Sequence, residues 1–226
     1  MNMFRKGMIF VTFFTSCLAI ALLVASLGTK QWVNARARRT SNPQESDGRV
    51  HFGLFEGKKE LNVAYGWRSY DMHVIEILKH EEDFMVYSIW LATITTVCLG
   101  LLFAILAAIF AVINTATNPA GSLSGVPGLY AWNSLALISD AAAVGLWVAQ
   151  YFLKLQYSVM MKEDKENMWT SENMAELGVS FWFVVGGAVV SFINIIIIYI
   201  GNSETRESEP VLPMIEEKSN GAIMLY

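Results

Sequence analysis

Long apolar runs separated by polar segments of very unequal length set the pattern of the chain. Four runs stand out, at residues 8–28, 84–113, 128–153 and 177–201. The shortest, 21 residues, spans as a helix roughly the 30 Å hydrocarbon core of a bilayer at about 1.5 Å per residue. None alternates apolar with polar as a barrel strand does, and backbone polar groups must pair internally in lipid, so each run predicts a helix. Small residues recur at spacing four and predict helix–helix seams. They are Cys17, Ala21 and Ala25; Gly100, Ala104 and Ala108; Ala141, Gly145 and Ala149; and Gly187 and Ser191.

Period two replaces this pattern in the loop at 30–83. "RVHFGLFE" puts Val50, Phe52 and Leu54 on one face, and "ELNVAYGW" does the same with Leu61, Val63, Tyr65 and Trp67. With "EGKK" between them these read as a β-hairpin over about 49–67, Gly57 in the turn, with "QWVNA" at 31–35 as a third strand. A hairpin alone is marginal in water, so its apolar face must rest on helix ends or a partner. Met72, Val74, Ile75, Ile77 and Leu78 predict a short amphipathic helix leading into the second span. The loop at 114–127 is uncharged and rich in turn residues, with Pro127 placed to start the third helix; the loop at 154–176 is acidic, with a weak helix signal. After Gly201 the Glu/Ser/Pro-rich tail lacks the apolar content for a core and is expected to be disordered. The fold class is therefore all-α: a four-helix transmembrane bundle with a small antiparallel sheet in its first loop.

Composition agrees. Of 226 residues 54% are hydrophobic and 16% charged, well under the quarter normal for a soluble domain. Arg5 and Lys6 before the first run would also suit a cleaved signal peptide, but the run exceeds the usual h-region of about 7–15 residues, which favours a retained helix. The two cysteines, Cys17 and Cys98, fall inside spans, where packing is the plain reading. His51, His73 and His80 are too scattered for a metal cluster. No cofactor motif or catalytic order is present, and an acidic chain without a basic stripe does not suggest nucleic acid. The first and third loops hold twelve of the sixteen Lys and Arg residues, so the positive-inside rule places them in the cytosol, although acids match the bases in the first. No N-x-Ser/Thr sequon speaks to orientation.

Asp140 is the one charge well inside a span. It lies 12 residues into its run, about 18 Å deep at about 1.5 Å per residue. An ionised carboxylate there costs at least about 2.5–3.5 kcal/mol. No Lys, Arg or His lies in any run, so the expectation is a neutral Asp140 hydrogen-bonded to Thr95, Thr96 or the adjacent Ser139. A proton or cation relay needs further ionisable groups across the membrane; Asn133 and Asn194, at another level, are placed to pair with each other. Met224-Leu225-Tyr226 ends the chain in an apolar–spacer–aromatic pattern that suits a PDZ-type groove.

"LGTKQWV", "FGLFEG", "NPAGSLSGVPGLYAWN", "SFWF" and the terminal "NGAIMLY" together resemble the clarin family, four-helix membrane proteins related in architecture to the claudin and tetraspanin-like groups. The resemblance implies both termini in the cytosol and the hairpin loop outside, against the charge count, in the plasma membrane. It also implies a non-enzymatic role in organising membrane or actin-linked assemblies, with other membrane proteins and the lipid bilayer as partners. An auxiliary subunit of an ion channel and a small transporter built on Asp140 are the alternatives. Trp32 and Gly53-Leu54-Phe55 match the Trp and Gly-Leu-Trp pattern that packs the sheet onto the helices in claudin-like proteins. Burial of Trp32 and Phe55 would contribute roughly 1.5–3 kcal/mol each, here without the disulfide of the claudins.

Overall fold

The computed structural model describes residues 3–62, 66–81, 83–117, 119 and 121–207, with side chains to 203. Four helices are long and apolar enough to cross a membrane. They are α1 (Met3–Gly28), α3 (Tyr87–Ala116), α4 (Val126–Gln150) and α6 (Val179–Glu207); α4 runs on through a π-helical turn at Tyr151–Leu155. Pro127 sits in the first turn of α4, where its missing N–H costs nothing. Each long helix packs on two others, α1 on α3 and α6, and α4 on α3 and α6, which closes a ring of four.

Burial along each helix advances by alternate steps of three and four. On α1 it follows Ile9, Thr12, Ser16, Ala19, Leu23 and Ser26; on α4 it follows Leu129, Asn133, Ala136, Asp140, Ala143, Trp147 and Gln150. A seven-residue repeat keeps a seam facing its neighbours only with a left-handed supercoil. Ala104, Ala108 and Gly100 lie in the α3 seam, and Gly187 and Ser191 in that of α6. The other two expected stripes do not: Cys17 and Ala21 on α1, and Ala141, Gly145 and Ala149 on α4, are exposed on the outside of the ring. A step of four residues turns about 40° past a full circle at 3.6 residues per turn, so such a stripe leaves the seam within two steps.

The polar segments build one antiparallel sheet in the order β4-β3-β2-β1-β5, with β6 also on β1. β1 (Val33–Arg39), β2 (Gly48–Phe52), β3 (Glu56–Asn62) and β4 (Trp67–His73) come from the first loop. β5 (Trp169–Thr170) and β6 (Ala175–Leu177) come from the segment before α6, where only a weak helix was expected; that helix exists as α5 (Lys162–Glu166). The amphipathic helix of the first loop, α2, is short, Val74–His80, and Met72 belongs to β4.

The hairpin differs from expectation in its turn. The chain reverses at Gly53–Phe55, and "EGKK" lies inside β3, where Phe52 pairs with Gly57 and His51 with Lys58. Gly57 is required by close approach rather than by a turn, since its missing side chain makes room for Phe52. The second run divides after Asn62, and Gly66 with φ +118° precedes β4, so Trp67 opens a new strand and is exposed; Val63 and Tyr65 lie outside the described residues.

Candidate functional site

The described residues place polar groups in three tiers: a layer deep in the bundle, a carboxylate one level nearer the sheet, and the junction between bundle and sheet. The deep layer joins three helices. Asn194 on α6 donates through Nδ2 to Oδ1 of Asn133 on α4 at 3.0 Å and to the Ser16 hydroxyl on α1 at 3.1 Å. The Thr15 hydroxyl donates to Asn194 Oδ1, and Asn133 donates back to the Leu129 carbonyl at 2.9 Å. Asn133, Asn194 and Ser16 are buried, so the layer satisfies its own amides in a medium that offers no water. Ser16 and Thr15 were missed from sequence because single hydroxyl residues are ordinary in membrane helices.

Asp140 lies seven residues further along α4, about 10.5 Å at about 1.5 Å per residue, and is fully buried. Its neighbours are glycines rather than hydroxyls. A side-chain carbon at Gly100 of α3 would stand 3.1 Å from Asp140 Cγ and well inside van der Waals distance of Oδ1. At Gly187 of α6 it would stand 3.4 Å from Oδ2 and 3.2 Å from Leu23 Cδ2. The carboxyl therefore fills the space that two glycines leave. The hydrogen bonds expected from Thr95 and Thr96 are absent: Thr95 donates to the Leu91 carbonyl at 2.8 Å, Thr96 to those of Ala92 and Thr93 at 2.9 and 3.0 Å. Threonine on a helix reaches its own preceding turn before it reaches a neighbour. Neither Asp140 oxygen has a hydrogen-bond partner among the described residues, nor do the Trp147 indole N–H, the Gln150 amide and the Ser26 hydroxyl.

At the junction Trp32 is completely buried, donates through Nε1 to the Ser26 carbonyl at 2.8 Å and meets Trp147 edge-on with centroids 4.8 Å apart. Gly53 lets its turn lie against the end of α1, where a side-chain carbon would stand 3.0 Å from Lys30 Cα. Leu54 is buried and its carbonyl accepts from the Trp90 indole at 2.9 Å. Phe55, expected to be buried, is 48% exposed; the anchoring ring is Phe52, packed on Phe84 at 5.4 Å. Val50, Phe52 and Leu54 face inward as the alternation predicted, and it is the burial of Phe55, implied by the claudin-like pattern, that fails because Phe55 ends the reversal between β2 and β3.

Ion pairs fix the loops. Lys59 on β3 holds both oxygens of Asp164 on α5 at 2.7 Å, with both side chains largely buried, and so ties the first loop to the third. Lys30 pairs with Glu56 at 2.6 Å in the open; this contact lowers the Glu56 carboxyl below its usual range and raises the Lys30 ammonium. Lys58 similarly lowers Glu60. Among the described residues no three His, Cys, Asp or Glu side chains are grouped to hold a metal ion. Met224, Leu225 and Tyr226 lie outside the described residues.

A family model described as Clarin-2-like matches residues 4–198. Clarin-3 of Homo sapiens is 24% identical over 219 residues, covering 93% of this chain and 94% of its own, and Clarin-3 of Mus musculus is 25% identical over 228 residues, covering 97% and 98%. Clarin-3 of Rattus norvegicus is 24% identical over 80% of each chain.

Proposed function

Because the chain belongs to the clarin family, as a match across residues 4–198 establishes, we propose that it is a non-enzymatic plasma-membrane organiser. In this reading a rigid sheet is held on the outer face and other membrane proteins are gathered against it. One observation carries it: the two polar loops are joined into a single platform rather than left as separate tethers. β1 pairs with β2 on one side and with β6 and β5 on the other. The buried Lys59–Asp164 pair locks the same two loops, and Trp32 seats the sheet on the bundle. A fixed surface lowers the ordering cost of binding a partner, which suits a scaffold. The organiser works with both termini in the cytosol, and the tail ending Met224-Leu225-Tyr226 offers a carboxylate to PDZ-type scaffolds linked to cortical actin.

Cross-linking and mass spectrometry on intact cells test this reading. It requires adducts from sheet residues such as Lys58 to several different membrane proteins, and labelling of that lysine by an impermeant reagent. Adducts to one pore-forming subunit alone would instead make it a channel auxiliary. Ion flux in reconstituted vesicles that Asp140→Asn abolishes would make it a transporter. The self-satisfied Asn133–Asn194–Ser16 layer argues against that outcome, since it closes the core below Asp140 with paired groups.

A further inference from the structure

The side chains of β1 and β2 that turn away from the core are Asn34, Arg36, Arg38, Arg49 and His51. Arg36 and Arg49 stand directly opposite each other in the register, and Arg38 follows two residues along the same face, about 7 Å on at roughly 3.4 Å per residue. Like charges directly opposed destabilise a sheet. Among the described residues none of the three guanidiniums has a carboxylate within ion-pair distance. Glu60, opposite Arg49 on β3, is engaged by Lys58 at 3.0 Å, while Arg49 leans over the Trp67 ring at 5.5 Å. These strands line a groove of about 880 Å³ together with Gln31, Asn173, Met174 and Glu176, and Glu176 of β6, opposite Asn34, is the one acid that lines it among the described residues.

We propose that this groove binds a linear sulfated polysaccharide. Planar guanidiniums pair with tetrahedral oxyanions through parallel N–H donors, and three of them in an open trough suit a chain that carries such groups at intervals. Two competing occupants fit less well. An acidic peptide cannot add as a strand at β1, because β2 takes one edge and β5 and β6 the other. Phospholipid headgroups suit it less: the groove begins beside the bundle at Gln31, but its guanidiniums lie farther out, Arg36 and Arg49 about 10 Å beyond Val33 at roughly 3.4 Å per residue and Arg38 opposite Thr170 at the far end of β1. A polysaccharide on the cell surface reaches the groove only if the sheet faces outward, so the biological setting rests on the proposed orientation.

The test uses the full-length chain in phosphatidylcholine nanodiscs, which leave both faces open, titrated with a heparin octasaccharide, its desulfated counterpart and a poly-glutamate peptide. Saturable binding of the sulfated form, weakened by NaCl, is expected. Arg36→Gln, Arg38→Gln and Arg49→Gln combined weaken it at least about tenfold, while Lys79→Gln, exposed on α2, leaves it unchanged. Arg36→Gln alone also lowers affinity while leaving the thermal midpoint equal or higher, since it removes a like-charge pair; a loss of binding through misfolding would lower that midpoint. Unchanged affinity in the triple variant, or equal binding of the desulfated form, overturns the proposal, and tighter binding of poly-glutamate replaces it with a peptide site. Binding in nanodiscs without binding to intact cells upholds the groove and refutes the outward orientation.

Discussion

Gly100→Ala asks whether Asp140 acts through its volume. The added carbon would lie 3.1 Å from Asp140 Cγ and closer still to Oδ1, whereas nonbonded carbon atoms sit best at about 3.5–4.0 Å. The carboxyl can give way only toward Gly187, where the glycine carries no side chain and even an added carbon would lie 3.4 Å from its other oxygen, so the strain is relieved in part. Overpacking of this kind costs about 1–3 kcal/mol, offset by a helix-propensity gain of at most about 1 kcal/mol. A net loss of up to about 2 kcal/mol is expected from these two terms. Asp140→Ala removes the obstacle, so in that background Gly100→Ala should be neutral or stabilising, a coupling of at least about 1 kcal/mol. Asp140→Asn keeps the obstacle and should preserve the penalty. The assay is reversible unfolding in mixed micelles titrated with SDS, followed by tryptophan fluorescence. Equal penalties for Gly100→Ala with and without Asp140 would refute the reasoning, because Gly100 would then be required by the backbone and not by the carboxyl.

Other substitutions probe the remaining contacts in the same assay. Trp32→Ala should cost about 3–5 kcal/mol, and Trp32→Phe less, since the ring contact with Trp147 survives while the bond to the Ser26 carbonyl is lost. Asn194→Leu leaves Asn133, Ser16 and Thr15 without their partner; at about 0.6 kcal/mol per intramembrane contact the loss is about 2 kcal/mol, and combining it with Asn133→Leu should recover part. Lys59→Met strands a buried Asp164 and should cost about 3–5 kcal/mol, whereas Lys59→Met with Asp164→Leu should lie near the parent. Glu56 carries a lowered carboxyl, so its contribution is present above the unfolded titration range and is lost as pH falls through the folded value, below 4.5. Lys30→Met should raise the Glu56 midpoint in a carbon-13 NMR titration, and an unmoved midpoint would rule Lys30 out as the cause.

How far the sequence carried depended on the range of each signal. The four spans were legible because apolar length is a local property that lipid enforces, and the match of Asn133 with Asn194 was legible because paired amides at one depth have few alternatives. Strand pattern located β2 and β3 and the inward face of Val50, Phe52 and Leu54, but the composition of "EGKK" imitated a turn, and the reversal sits instead at Gly53–Phe55, which leaves Phe55 exposed. β5 and β6 are two and three residues long, and their partner β1 lies 130 or more residues away, so no local pattern announces them. Asp140 was conspicuous, but its true neighbours, Gly100 and Gly187, carry no side chain to suggest an interaction.

The pairing of Val33 with Leu177 bears on how the chain is made. Every strand of the first loop has left the ribosome long before β5 and β6 are synthesised, and until then the outer edge of β1 has no partner. Unpaired edges invite association with other chains, so the nascent protein depends on rapid completion of its last quarter or on a chaperone that masks that edge. A product truncated after α4 would keep its first three spans and lose this closure. It should therefore be retained and degraded in the endoplasmic reticulum rather than delivered as a smaller working form.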